Sequence, residues 1–313
     1  MSRINKVLVV AFAILAALST VTAQSAAKVP ESKLFDARKL LEDTRTLSAD
    51  DMEGRSAERP TMAKAREYVK KRFNQSGLEP FGSGYEQDFD IRGRGQAAAI
   101  KGINFIGSIA GKTKANKYIV ITAHYDHLGV RNGQIFNGAD DNASGTAALF
   151  AIASYFRKNQ PEQSLIFVAL DGEEKGLLGA YHFVANPPVP KASIVLNVNM
   201  DMISRNDKGE LYATGTRLYP YLKPALVKVQ KTAGVKLLLG HDDPATGRDD
   251  WTNQSDQAAF HAATIPFIYF GVEDHKDYHK STDDFSNIQP EFYVRAVETI
   301  IEAVISLGSE LKN

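Results

Sequence analysis

The sequence predicts a single-domain α/β/α sandwich with a central mixed, mostly parallel sheet. Three observations predict it. From residue 118 onward, short and continuously apolar β-branched runs alternate with segments of helical periodicity. Such runs suit strands buried on both faces, which is how parallel strands sit. No low-complexity linker divides residues 24–313, and no repeat at a solenoid period is visible. A chain of 313 residues with 43% hydrophobic content is long enough for one large core.

The elements follow in order. Arg3 and Lys6 precede an apolar run from Val7 to Leu18 and then the small residues Val21-Thr22-Ala23. This is the pattern of a cleavable signal peptide over residues 1–23, too short for a membrane span of about 20 residues. Leu34 to Leu47 has helical periodicity, and a loop runs from Ser48 to Pro60. A second helix is expected from Met62 to Ser76, stopped by Gly77 and Pro80. Tyr85–Ile91 and Ala98–Ile109 read as strands. Then come a strand at Tyr118–Thr122, a helix over Gly145–Arg157, a strand at Leu165–Leu170 and a helix over Leu177–Ala185. Strands at Ser193–Asn199 and Pro266–Phe270 and a closing helix over Glu291–Leu307 complete the set. Residues 205–264 interrupt the alternation and are expected to form an excursion over the site.

Composition narrows the function classes. Basic and acidic side chains number 37 each, so electrostatics favours neither nucleic acid nor an anionic membrane as partner. There is no cysteine. Any metal site must therefore be built from imidazole and carboxylate, which excludes cysteine-based structural zinc and points to a catalytic metal.

The polar clusters share one place in the pattern. The run ending at Thr122 leads into His124-Tyr125-Asp126-His127, and the run ending at Leu170 leads into Asp171-Gly172-Glu173-Glu174. The run ending at Asn199 leads into Met200-Asp201, and Phe270 leads into a loop with Asp277-Tyr278-His279. All lie at or beyond the carboxyl end of a strand, the edge where open α/β sheets bind ligands. Residues 138–145 (Gly-Ala-Asp-Asp-Asn-Ala-Ser-Gly) form a fifth cluster before a helix. Any one of these reads equally well as a turn, a cap or solvated surface. Together they are different: that many acids at one edge repel one another unless cations neutralise them, and two zinc ions would do so.

These five ordered motifs resemble those of the clan MH zinc peptidases of family twenty-eight, which include bacterial leucyl-type aminopeptidases. The likeness runs from about Lys101 to the C-terminus, with a weaker echo at Met52-Glu53-Gly54-Arg55. The resemblance implies the phosphorylase/hydrolase-like zinc exopeptidase fold and two Zn2+ ions per chain. It implies His124 and Asp201 on one zinc, Glu174 and His279 on the other, and Asp141 as the bridging carboxylate. In the family the bridge lies three residues before the loop Ser, which selects Asp141 over Asp140. Glu173 matches the general base, which takes a proton from a metal-bridging water as hydroxide attacks the scissile carbonyl. Asp126 matches a carboxylate that orients His124, and Tyr278 could donate to the carbonyl oxygen. Peptides with a free N-terminus are the implied substrates, cleaved by a secreted or periplasmic enzyme that has no membrane attachment once its signal is removed.

Two departures matter. Many relatives carry Ser-Asp-His where this chain has Ser255-Asp256-Gln257, and no inserted protease-associated domain precedes His124. Gly107–Thr113 is one residue short of a phosphate-binding loop and reads as a turn between strands. His-Glu-x-x-His and Gly-x-Ser-x-Gly are absent. His127, His182, His241, His261 and His275 receive no role. Glutaminyl cyclase chemistry on the same scaffold is one alternative. A carboxypeptidase or dipeptidase is another, with Arg205, Arg217 and Arg248 as candidates for the substrate carboxylate. A non-enzymatic binding module is disfavoured because all five ligands and the base are present.

Overall fold

The computed structural model describes residues 29–91 and 100–311, so the leader read over residues 1–23 lies outside the described residues. Helix α1 (Ala37–Leu47) begins where the Asp36 carboxylate accepts from the backbone N–H groups of Arg38 and Lys39. That cap explains why the helix starts after Leu34. A helical turn at Asp50–Arg55 leads to α2 (Met62–Gln75). Next come β1 (Glu79–Pro80), β2 (Glu86–Ile91), β3 (Ile100–Ile109) and β4 (Lys114–His124). A small hairpin of β5 (Gly129–Arg131) and β6 (Gln134–Phe136) precedes α3 (Gly145–Lys158). The chain continues through β7 (Gln163–Leu170), α4 (Leu178–Ala185), β8 (Ile194–Met200), β9 (Glu210–Thr214), α5 (Lys223–Val229) and β10 (Lys236–Leu239). It ends with α6 (Gln257–Ala262), β11 (Phe267–Gly271) and α7 (Pro290–Glu310). Gly107 and Gly111 fall in and just after β3, a strand and its turn.

The main sheet runs β3-β7-β4-β8-β11-β9-β10, with β1 and β2 both paired to the outer edge of β3. Its four central strands, β7, β4, β8 and β11, are parallel, while β3 and β9 run antiparallel to their central neighbours. Alternation in β4 builds both layers. Ile119, Ile121 and Ala123 pack with the apolar residues of α1, α2, α3, α5 and α7 on one face. Val120, with Val168 and Leu170 of β7, packs against Phe183 of α4 and Phe260 of α6 on the other. The sheet is mixed and covered on both faces, as the unbroken apolar runs predict.

Residues 205–264 depart from the expected excursion. β9 pairs with β11 and β10 pairs with β9, so much of the segment builds the sheet's far edge. These strands have five and four residues, too few alternations to stand out by pattern. The stretch between β10 and α6 turns back to the polar edge, where it delivers Ser255, and Arg205 at the start of the segment meets Asp277 there.

Candidate metal centre

Register brings the clusters together. His124 at the end of β4 is level with Leu170 at the end of β7, and Phe270 of β11 is level with Met200 of β8. Asp201 follows Met200 and donates its N–H to the Phe270 carbonyl at 3.0 Å. One sheet edge therefore presents His124, Glu173, Glu174 and Asp201 side by side. The loop before α3 adds Asp141, and the loop after β11 adds His279.

Two groups of donor atoms result, each with all its atoms within 4.8 Å of one another: His124, Asp141 and Asp201, and His127, Asp141 and Glu174. Asp141 belongs to both. Its Oδ1 lies 3.4 Å from His124 Nε2, and its Oδ2 lies 3.1 Å from His279 Nε2 and 3.7 Å from His127 Nδ1. His124 Nε2 is 3.2 Å from Asp201 Oδ1. His279 Nε2 stands 3.6 Å from Glu174 Oε2. Asp140, the neighbouring acid, is committed elsewhere: it accepts from Ser204 N–H and Oγ at 2.7 Å each and meets His275 Nε2 at 3.0 Å.

Supporting contacts hold the donors in place. The Asp126 carboxylate accepts from the N–H groups of Glu173 at 3.1 Å and Glu174 at 3.4 Å, capping the turn that carries both. It is less engaged with His124, whose Nδ1 is 3.7 Å from its Oδ1 and closer, at 3.2 Å, to its backbone carbonyl. Ser255 Oγ donates to Asp201 Oδ2 at 2.7 Å. Behind it Asn199 donates to Ser255 Oγ and to Gln257 Oε1, so the glutamine that departs from the Ser-Asp-His pattern joins a hydrogen-bonded chain leading to Asp201. Asp283 accepts from the N–H groups of Asp140 and Asp141, fixing the loop before α3. Buried Arg55 ties four carbonyls together, among them Tyr125 at 2.8 Å and Gly138 at 2.9 Å.

Carboxylates crowd the site, and the pKa directions follow from their mutual repulsion, their histidine partners and burial. Burial disfavours charge on His124, yet Asp201 and Glu173 outweigh it and hold its pKa well above the usual imidazole value. Burial raises Glu173 well above the ordinary carboxylate range; His124 opposes, while Asp256, Asp201 and Glu174 add to the rise. Burial would raise Glu174 too, but His127, His124 and His279 hold it at about 2. Tyr278, stacked on His279 with ring centroids 4.0 Å apart, is pushed up by burial and by Asp141 and Asp201, so it keeps its proton. Converging imidazole and carboxylate donors, most of them buried, are the donor chemistry of zinc. The residues fit that ion.

Among the other histidines, His275 supports Asp140, His182 stacks on Phe89, His241 stacks on Trp251 and His261 meets Tyr219. Arg205 is buried in an ion pair with Asp277 at 2.7 Å, and Arg217 pairs with Asp243 at 3.3 Å. His127, Asp283, Ser255 and Arg55 are the contributors that sequence reasoning left without roles.

Fold and donor set together define an α/β/α protein with a candidate metal centre of imidazole and carboxylate donors at the carboxyl edge of its sheet. The family model described as Peptidase family M28 matches residues 104–304, and the chain belongs to that family. A probable zinc metalloprotease of Pyrenophora teres f. teres is 27% identical over 152 residues, covering 46% of this chain and 32% of the relative. The chain thus spans about a third of that curated relative. Among solved structures, Bacteroides thetaiotaomicron glutaminyl cyclase bound to N-acetylhistamine superposes with a TM-score of 0.67 at 20% identity, covering 88% of this chain and 99% of that one. The aminopeptidase from Aneurinibacillus sp. strain AM-1 gives 0.67 at 16% identity, covering 87% and 94%. At these identities both likenesses speak for the fold. Among the described residues no helix is long and apolar enough to cross a membrane.

Proposed function

We propose that the chain is an aminopeptidase that binds two zinc ions, one at His124 and Asp201 and one at Glu174 and His279, with Asp141 between them. The observation that carries this reading is Asp141, whose two carboxylate oxygens face different imidazoles, His124 and His279. Bound zinc supplies Lewis acidity, strengthening water as an acid and polarising a carbonyl oxygen.

The chain's own residues do the rest. Glu173 is a half-buried carboxylate at the same edge as Asp201, suited to take a proton from water and pass it to the departing amine. The backbone turn held by Asp126 sets its position. Tyr278, which retains its proton, donates toward the carbonyl oxygen of the substrate. The acids that surround the site attract a protonated N-terminus. The leader read over residues 1–23 supports export, which N-terminal sequencing of the secreted protein would check.

Glutaminyl cyclase chemistry is the second reading, favoured by the fold likeness to a cyclase. A carboxypeptidase reading loses Arg205 to Asp277. The test is a panel of aminoacyl-amides, N-terminally blocked peptides and glutaminyl peptides, assayed before chelation, after chelation and after zinc re-addition. Zinc-restored cleavage of free but not blocked N-termini supports the aminopeptidase. Ring closure of glutaminyl peptides without amide cleavage refutes it.

A further inference from the structure

His127 stands in the second group of donor atoms, with Asp141 and Glu174. Its ring is wholly buried, with 0% of the side chain exposed, whereas 41% of the His279 side chain is exposed at the mouth of the site. His127 Nδ1 lies 2.8 Å from Glu174 Oε1 and 3.7 Å from Asp141 Oδ2. At 2.8 Å a hydrogen bond would be expected, yet neither His127 Nδ1 nor Glu174 Oε1 makes one of acceptable geometry, and both atoms are buried. Leaving two such groups unpaired is costly. A close, misaligned pair of this kind is what two donors aimed at a common third atom produce.

The backbone prepares the position. The His127 N–H donates to the Arg55 carbonyl at 3.2 Å. Gly138, with φ at +56°, lies against the ring: a Cβ there would fall 2.0 Å from the Asp141 carbonyl oxygen and 2.5 Å from His127 Cδ2. A side chain at 138 would therefore crowd both the Asp141 loop and the imidazole. In the extended segment after β4, residues 124 and 126 share a side and residue 127 takes the other. The bridging carboxylate of Asp141 stands between, with His124 on its Oδ1 and His127 on its Oδ2.

Resting on the two-zinc reading above, we infer that His127 is a further protein ligand of the metal held by Glu174 and Asp141, so that this ion takes two imidazoles, His127 and His279. The ion bound at His124 and Asp201 takes one. The two sites then differ in affinity and in their tolerance of ligand loss. His127 is then the buried imidazole of this site and His279 the solvent-facing one.

Metal-free wild type, His127→Ala and His127→Gln are titrated with Zn2+ against a competing chelator, with folding checked by circular dichroism and by the melting temperature of the metal-free forms. Losing a residue that merely supports a ligand weakens metal binding by about 10–100-fold. Loss of a ligand should exceed that at one of the two sites and leave the other unchanged. Wild-type affinity at both sites in the variants, or a loss within the supporting range, overturns the inference. Should both variants misfold, the wild type loaded with Co2+ decides. Proton NMR should then show three exchangeable, strongly shifted imidazole N–H signals, from His124, His127 and His279; two signals overturn it. A wild type that takes up no zinc refutes the metal-site reading itself, an outcome distinct from a loss confined to the variants.

Discussion

Replacing Arg55 by Met should destabilise the protein far more than its distance from the chemistry suggests. Arg55 is wholly buried, and its Nε donates to the Tyr125 carbonyl, Nη1 to Leu47 and Asn137, and Nη2 to Gly138, at 2.6–2.9 Å. Burial lowers its pKa to about 10, opposed by Asp141, Asp283, Asp126 and Glu174, so it stays charged at neutral pH. Hydrogen bonds to a charged group are worth about 1.5–3 kcal/mol each, and they do not add within one network. Removing the donor also strands four buried carbonyls. A loss of about 3–5 kcal/mol, the usual cost of deleting one side of a buried charged contact, is the reasonable expectation. That is a large share of a typical total of about 5–15 kcal/mol. Urea unfolding of the metal-free protein measures it as a shift in midpoint at constant slope. Arg55→Lys keeps the charge but not the planar fork, and should recover less than half. A Met variant within about 1 kcal/mol of wild type, or full rescue by Lys, would defeat this account.

Glu173→Gln should keep its zinc and lose about 10²–10⁴-fold in turnover, the span that general base catalysis covers; near-normal turnover would end the base assignment. Burial, opposed by His124 and reinforced by Asp201 and Asp126, raises Asp256 from 3.8 to about 8. The folded protein then holds a proton that the unfolded chain releases, so this contribution is full below about pH 3.8 and is lost as pH rises through about 8. Asp256→Asn mimics the protonated form, so the melting temperature of the metal-free variant relative to wild type should climb between about pH 5 and pH 9; a constant difference contradicts the shift. Gly54 sits at φ +67° with a Cβ position 2.3 Å from the Phe136 carbonyl oxygen. Gly54→Ala should therefore cost well over about 1 kcal/mol, visible as a lower melting temperature, since neither the backbone angle nor the neighbouring backbone can yield cheaply.

The fold was legible wherever strands are buried on both faces. β4, β7 and β11 hold the runs that the sequence marks by unbroken apolar residues, β8 is broken only by Asn197 and Asn199, and their common direction brings the strand-end polar clusters to one edge. What escaped was short or exposed. β5 and β6 have three residues each and no core to face, and β9 and β10 carry too few alternations. Their pairing is decided by tertiary contact with β11 and with each other, which a linear pattern does not contain.

The site divides along the same physical line. His124, Glu174 and Asp201 were legible because strand register fixes them: each lies within a few residues of a strand end, where position along the chain translates directly into position in space. Asp141 and Asp140 lie in a loop, and composition treats them alike. The structure separates them through partners far away in sequence, since Ser204 and His275 take up Asp140 while Asp141 keeps both oxygens turned to imidazoles. His127 was within reach of the same reasoning. Three residues after His124 in an extended segment, it faces the opposite way, and the sequence places it near the site without giving it a role. The loop before α3 inserts Asp141 between the two imidazoles, its Oδ1 3.4 Å from His124 Nε2 and its Oδ2 3.7 Å from His127 Nδ1, and on the proposed two-zinc reading it is this insertion that divides one cluster of acids into two sites sharing a carboxylate.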